Sequence, residues 1–546
     1  MTSGSPMPAA SAVPKGGARI PRLRRSGTAT QLVVDGEPFL IRGGELGNSS
    51  AERTYLAGYW PRLEALGLNT VVAPVYWDVV EPAEGTFDWT SVEELIDDAA
   101  AHGMRLVLLW FGSWKNSMSC YAPGWVKTDV ERFPRSRDSN GRALEILTPF
   151  SDNNRDADAR AFAALMRRLR EYDREHVAVL VQVENEIGMI PEARDHTAEA
   201  ERAFAGPVPA ELMAYLQKHH EALAPELRER WTAAGGRTGG TWTEVFGEGP
   251  ATEELFMAWA FARYVQPVAA AGKAELDLPM YTNAALIRPG YLPGQYPSAG
   301  PLPHLIDVWR AGAPALDFIA PDIYFPEFAE WAGRYTRDGN PLFVPEALRS
   351  TDAAANALYA FGAHGAIGFS PFGIETIEGP AAEALTASYD VVNQLSPLIA
   401  AHAGDGTMTA LVPPAESQRA PHRIVFGELV LEATYERIAA PSLADGVINE
   451  ADDRSTDLTR LPAAAIVIRT APDELVIGGT GVTVTFSSAR SGAESIGILD
   501  CAEGRYHDGA WEHQRWLNGD QTHQGRHLRL EPGRFAIQRI RLYRYS

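Results

Sequence analysis

The chain has 546 residues, 45% hydrophobic and 22% charged, with a formal net charge of -21. That length suits one large α/β barrel, about 250 residues or more, followed by a smaller domain, with a core that needs no disulfides. The acid surplus excludes nucleic acid and anionic membranes as partners, and no stretch of about 18 apolar residues offers a membrane span. Two cysteines, Cys120 and Cys501, exclude a disulfide framework and a cysteine-rich zinc site. Residues 1–30 lack the apolar run of a secretory signal, so the sequence reads as cytoplasmic.

Residues 1–29 are rich in Gly, Ser, Pro and Ala and carry the basic run Arg22-Leu23-Arg24-Arg25, which predicts a disordered, solvated leader. Two short apolar runs flank Asp35-Gly36, a hairpin signal. From there to about residue 400, short apolar runs alternate with amphipathic stretches, as in βα units around a parallel sheet. Strands are predicted at 39–43, 70–74, 105–110, 177–183, 280–282, 318–323, 341–344 and 366–369. Eight strands favour closure, so residues 30–400 are expected to form a (β/α)8 TIM barrel. The middle strands, such as Leu106-Val107-Leu108-Leu109, are continuously apolar, as burial on both faces requires.

Thr90 with Glu93 predicts a capping box ahead of the stripe Val92, Leu95, Ile96 and Ala99, and Gly103 predicts that helix's end. Phe162, Leu165, Met166 and Leu169 form the stripe of a helix before strand four. Residues 191–275 are too long for a simple connection and are expected to shape the substrate pocket. Beyond residue 401 the pattern switches to period two, as in Val482-Thr483-Val484-Thr485-Phe486. Residues 401–546 are therefore expected to form an antiparallel, sandwich-like β-domain, with Trp511 and Trp516 as its candidate sugar-stacking side chains.

Two segments carry chemistry. In Val181-Gln182-Val183-Glu184-Asn185-Glu186-Ile187-Gly188 an apolar strand runs into polar groups. Barrel active sites lie where strands end. There a Glu can protonate a departing oxygen while an Asn amide holds a neighbouring hydroxyl. In Pro341-Leu342-Phe343-Val344-Pro345-Glu346 another strand, the seventh, ends in a carboxylate. Carboxylates from strands four and seven can face each other across the mouth. Glycoside cleavage needs such a pair, one donating a proton and one attacking or stabilising the anomeric carbon.

Leu66-Gly67-Leu68-Asn69-Thr70-Val71, with Tyr76-Trp77-Asp78 and Glu81-Pro82 after it, resembles the second-strand signature of clan A glycosidases. Gln182 to Gly188 resembles the acid/base motif of glycoside hydrolase family 35, the β-galactosidases, with Ile187 where that motif has Tyr. The resemblance covers roughly residues 37–400, and a bacterial branch with an extra C-terminal β-domain is most similar. It implies a retaining double displacement, with Glu186 as general acid/base and Glu346 as nucleophile. It further implies that Tyr324 hydrogen-bonds the nucleophile.

Glu45, Asn48, Asn185 and Asn283 are candidate ligands for sugar hydroxyls, and Tyr76, Trp77 and Trp114 candidate stacking platforms. The thirteen His show no ligand spacing, so no metal or cofactor is expected. The expected function is hydrolysis of terminal β-D-galactosides, from glycosides or oligosaccharides. The competing readings are a glycosidase for an arabinoside, fucoside or glucoside, a non-catalytic carbohydrate-binding barrel, and a metal-dependent sugar isomerase. Oligomeric state, a homo-oligomer included, is left open by the sequence.

Overall fold

The computed structural model describes residues 19–287, 290–414, 421–438, 460–490 and 494–546. Its first element corrects the leader. β1 (Arg22–Ser26) pairs antiparallel with β2 (Ala29–Val34), which turns through Asp35-Gly36 into β3 (Glu37–Phe39). The basic run is thus an edge strand, with Leu23 packed on the core and Arg24 donating to Gln31 Oε1 at 2.9 Å. Period-two placement of the apolar Leu23 among solvated arginines explains why composition alone read it as tail. Residues 1–18 lie outside the described residues.

The barrel strands are β4 (Ile41–Glu45), β5 (Thr70–Tyr76) and β6 (Arg105–Lys115), then, after a small hairpin of β7 (Arg135–Arg137) and β8 (Ala143–Leu147), β9 (Ala178–Asn185). β10 (Met280–Ala285), β11 (Phe318–Asp322), β12 (Phe343–Ala347) and β13 (Gly368–Pro371) complete the set. The eight-stranded sheet runs β11-β10-β9-β6-β5-β4-β13-β12, all parallel, and all eight predicted strands are present. The ring closes between its ends: Ile323 N–H donates to Glu346 O at 2.9 Å and Leu348 N–H to Ile323 O at 3.3 Å. This is a TIM-like barrel. Tyr281 stacks on Phe318 at 5.2 Å and meets Phe343 edge-on at 5.3 Å, tying strands five, six and seven together. Such pairs add about 0.5–1.5 kcal/mol each beyond burial.

The outer helices bury the predicted stripes, Val92, Leu95, Ile96 and Ala99 in Thr90–Ala101 and Phe162, Leu165, Met166 and Leu169 in Asp152–Tyr172. The capping box is absent. Thr90 is already the first helical residue, its N–H bonded to Asp88 Oδ1 at 3.0 Å, and Glu93 is drawn away into an ion pair with Arg168. The connection after β9 contributes the helices Ala198–Ala205, Ala210–Lys218, Pro225–Ala233 and Trp242–Phe246 before the barrel helix Pro250–Glu275. Its residues Ala203, Gly206, Pro207 and Trp242 wall an apolar cleft with Trp259 and Tyr264.

The C-terminal domain holds two antiparallel sheets. The six-stranded one runs in the order β14 (Met408–Leu411), β17 (Ala464–Ala471), β18 (Glu474–Thr480), β23 (Ala536–Tyr545), β20 (Ser495–His507), β21 (Ala510–Trp516). The four-stranded one runs β15 (His422–Phe426), β16 (Leu429–Tyr435), β19 (Val482–Ser488), β22 (Leu528–Arg529). Alternation sorts β17 between two cores: Ala465 and Val467 face the sandwich interior, while Ala464, Ile466 and Ile468 join the barrel's own core. The strands β17 and β18 of the six-stranded sheet are therefore buried on both faces. Gly362 in helix Ala353–His364 permits the approach, since a Cβ there would lie 2.9 Å from Thr409 O and 3.2 Å from Ile466 Cγ1. Trp511 also packs against the barrel core, whereas Trp516 is exposed.

The β1–β2 turn is held by Gly404, past the last barrel helix, whose carbonyl accepts from Thr28 N–H at 2.9 Å. Gly404 has φ +80, and a Cβ would sit 2.2 Å from Ser26 O and 2.4 Å from Ala29 N. Gly404→Ala is expected to destabilise the protein by about 2 kcal/mol or more, read as a lowered unfolding midpoint in denaturant.

Candidate active site

Parallel strands point their C-terminal ends to one rim, and here those ends are polar. Glu45 is the last residue of β4, Lys115 of β6, Asn185 of β9, Asp322 of β11, and Glu346 the last but one of β12. Glu186 follows directly. It has φ 45, and Glu184 has φ 62, so the chain curls at the strand end and turns alternate carboxyl groups in opposite directions. Each such residue stores about 1–3 kcal/mol of strain. Hydrogen bonds hold the curl: Glu186 N–H donates to Asn283 Oδ1 at 2.9 Å, and Glu184 Oε2 accepts from Trp114 N–H at 2.8 Å.

Glu184 turns into the protein, toward Asp158, which accepts from Trp110 Nε1–H at 2.8 Å and Ser113 Oγ–H at 2.6 Å. Burial and the Asp158 charge push the Glu184 carboxyl well above the usual carboxylate range. This buried network fixes the end of β6, from which Asn116 Nδ2 donates to Glu186 Oε2.

Glu186, Asp322 and Glu346 each place a carboxyl oxygen within 4.8 Å of the others. All three are buried. Burial, then the Glu346 charge, push Glu186 up to about 7, against the opposing pull of Lys115 and Asn116. Glu346 Oε2 accepts from Tyr324 O–H at 2.6 Å, and its Oε1 has no partner. Asp322 is pushed well above the carboxylate range by burial, then by Glu346, Glu186 and Glu45. Glu45 is raised in the same way by burial and Glu346. For Lys115, burial opposes the charge, but Glu346, Glu186, Glu45 and Asp322 outweigh it and hold its ammonium charged.

Several buried polar atoms at this rim have no hydrogen-bond partner: both oxygens of Glu45, both amide atoms of Asn185, Asp322 Oδ1 and Glu346 Oε1. Buried polar groups are normally satisfied. Their convergence around the carboxylates suits a ligand with many hydroxyls. The three carboxylates would offer a hard cation only part of the six to eight oxygens it prefers. Tyr324, Asn116 and Asn283 already donate hydrogens into them, and Lys115 supplies a positive charge beside them.

Of the sequence-predicted residues, Glu186, Glu346, Asn185, Glu45 and Tyr324 come together here. Asn48 is half-buried nearby in sequence, with its side-chain oxygen unpartnered. Four candidates are corrected. Asn283 spends its amide on Glu186 N–H and on Asp322 Oδ2, 2.6 Å away, so it positions carboxylates and does not offer itself to a hydroxyl. Tyr76 is packed between Tyr121, at 5.2 Å, and Phe111. Trp77 is fully buried, its Nε1–H given to Glu81 Oε2 at 2.8 Å. Trp114 is fully buried against Tyr264 and Phe261. Asp322, Lys115 and Asn116 were missed. The predicted third strand stops at residue 110, whereas β6 runs on to Lys115, five residues closer to the rim. Asp322 was legible as the end of its strand, but it was read as strand and given no role.

Residues 57–259 match the family described as Beta-galactosidase, glycoside hydrolase family 42. The matched part of the barrel is similar to clan A, β-galactosidase-like glycoside hydrolases. The match does not support the family 35 resemblance and fits family 42 better. Residues 385–529 match a domain of unknown function, DUF5597, which covers most of the C-terminal domain. A beta-galactosidase of Xanthomonas manihotis is 35% identical over 105 residues, 19% of this chain and 17% of that protein. The human beta-galactosidase-1-like protein 3 is 27% identical over 163 residues, 29% of this chain and 23% of that protein. The chain thus spans under a quarter of the length of these curated relatives. Among solved structures, a cold-adapted beta-galactosidase from Rahnella sp. R3 aligns with TM-score 0.46 and 15% identity, over 66% of this chain and 57% of that one. One from Marinomonas ef1 aligns with TM-score 0.45 and 13% identity, over 65% and 60%.

The proton on Glu186 can be followed directly. Its folded value of about 7 lies above the ordinary 4.5, so the fold favours the neutral form. That contribution to stability is whole below about 4.5 and is lost as pH rises through about 7. Carbon-13 NMR of the carboxyl groups should show a titration near 7 that moves down in Glu346→Gln, because removing the neighbouring charge removes part of its cause.

Proposed function

We propose that the protein is a retaining β-galactosidase of the family 42 type, hydrolysing terminal β-D-galactosides by double displacement. The observation that carries this reading is the carboxylate pair: Glu186 and Glu346 oxygens lie within 4.8 Å, one carboxyl held up to about 7 and the other hydrogen-bonded by Tyr324. A separation near 5 Å suits direct attack, whereas inverting enzymes leave about 6.5–9.5 Å for a water.

In the first step Glu346 attacks the anomeric carbon and forms a glycosyl ester, while Glu186 gives its proton to the departing oxygen. Glu186, now charged, takes a proton from water, which attacks the ester and frees Glu346. Tyr324 orients the nucleophile through its hydroxyl, Lys115 puts a positive charge beside it, and the unpartnered Asn185 and Glu45 bind the hydroxyls of the sugar. A galactoside as substrate is supported by the matched family and the two curated relatives. A cytoplasmic location belongs to the same reading, supported by two free cysteines.

The turnover number kcat on nitrophenyl β-galactoside should fall by about 10²–10⁴-fold in Glu186→Gln, which loses the base of the second step, and at least as far in Glu346→Gln, which loses the attacking group. Proton NMR of the first-formed product should show retained β configuration. Inversion, or full activity in either variant, overturns the assignment. Because Glu186 must start protonated, kcat/KM should fall on the alkaline side with a limb near 7, and that limb should vanish in Glu186→Gln when an activated leaving group needs no acid.

A further inference from the structure

Beside the carboxylates, a cleft of about 400 Å³ lies between the barrel rim and the C-terminal domain. That volume falls in the range of roughly 300–1,000 Å³ typical of small-molecule sites. Its barrel side is built by the loops after β11 and β12 and the helices Phe328–Tyr335 and Ala353–His364 that follow them, and its other side by Val412, Pro413 and Arg437 of the β-domain. Tyr324 belongs to both places: its hydroxyl is bonded to Glu346 and 37% of the residue is exposed. The cleft therefore begins one side chain away from the nucleophile.

The wall from the β-domain is fixed in place. Arg437 pairs with Asp352 and donates to Leu461 O at 3.3 Å, and Thr351 O–H donates to Arg460 O at 2.8 Å. The lining mixes aromatic rings, Phe325 and Tyr359, with amide, hydroxyl and guanidinium groups on Asn356, Ser350 and Arg437. Flat apolar faces interleaved with hydrogen-bonding groups match the two kinds of surface a pyranose ring presents.

We propose that this cleft binds the sugar units on the leaving-group side of the scissile bond, so that the substrates are galactosyl-terminated oligosaccharides held in part by the C-terminal domain. The inference rests on the catalytic reading above and assigns a role to the domain of unknown function. Asn356, half-buried on helix Ala353–His364, is the natural point at which to fill the cleft.

The test compares kcat/KM for β-1,4-galactotriose and for nitrophenyl β-galactoside in the full-length protein. Asn356→Trp should lower the ratio of the two about tenfold, one aromatic contact's worth, and Asn356→Ala should lower it less. A second readout needs no turnover: calorimetric binding of galactobiose to Glu346→Gln protein should weaken about tenfold when Asn356→Trp is added. Melting curves establish that each variant folds, and Asn356→Ala serves where the bulky variant does not. An unchanged ratio, or galactobiose binding indifferent to position 356, overturns the proposal. If no galactoside is cleaved yet galactobiose binding responds to position 356, the catalytic reading falls and the cleft stands.

Discussion

Two unit charges about 5 Å apart in a medium of effective dielectric ~20 repel by roughly 3 kcal/mol. The mouth of this barrel is arranged around that repulsion. Glu186, Asp322 and Glu346 crowd within 4.8 Å, with Glu45 beside them, and they cannot all be ionised at neutral pH. Their surroundings differ. Glu346 receives the Tyr324 hydroxyl and Lys115 adds a positive charge, while burial and neighbouring charge raise Glu186, Asp322 and Glu45. Two chemically identical side chains are thus placed in different surroundings, the difference on which the proposed division into acid and nucleophile rests.

Maintaining that crowd requires a frame that does not relax. Barrel closure supplies it, since the strands carrying Asp322 and Glu346 are joined by backbone hydrogen bonds at Ile323. The positive φ of Glu184 and Glu186 shows the chain held in a shape it would not choose alone. The Asp158–Ser113–Tyr264 network behind β6 and the Asn283 amide bear that strain and aim Asn116 and Glu186 at one point.

The barrel was legible because eight apolar runs recur at βα spacing, and the meeting of Glu186 and Glu346 at one rim was legible because each ends such a run. The aromatic candidates were not. Tyr76, Trp77 and Trp114 sit at the right sequence distance from strand ends, but rings of that size gain more from packing on Phe111, Trp125 or Tyr264 than from a wet rim. Lys115 was missed because Gly112 and Ser113 interrupt the apolar run that normally marks a strand. Gly112 is there for space: a Cβ would meet Trp110 Nε1 at 2.3 Å and Glu184 Oε1 at 2.7 Å. The Arg22 strand was hidden by its composition, since an edge strand can be arginine-rich and still pair.

The middle of the six-stranded sheet is covered on both sides: one side fills the sandwich and the other completes the barrel's helical layer through Ile466, Ile468, Val476 and Ile537. Such a pair is not modular in the way of beads on a string. Exchanging the β-domain for an unrelated one would leave the helices Ala353–His364 and Gly379–His402 with an apolar seam and no matching surface. Any change to one partner at that seam constrains the other, so the two should be inherited, and engineered, as a single piece.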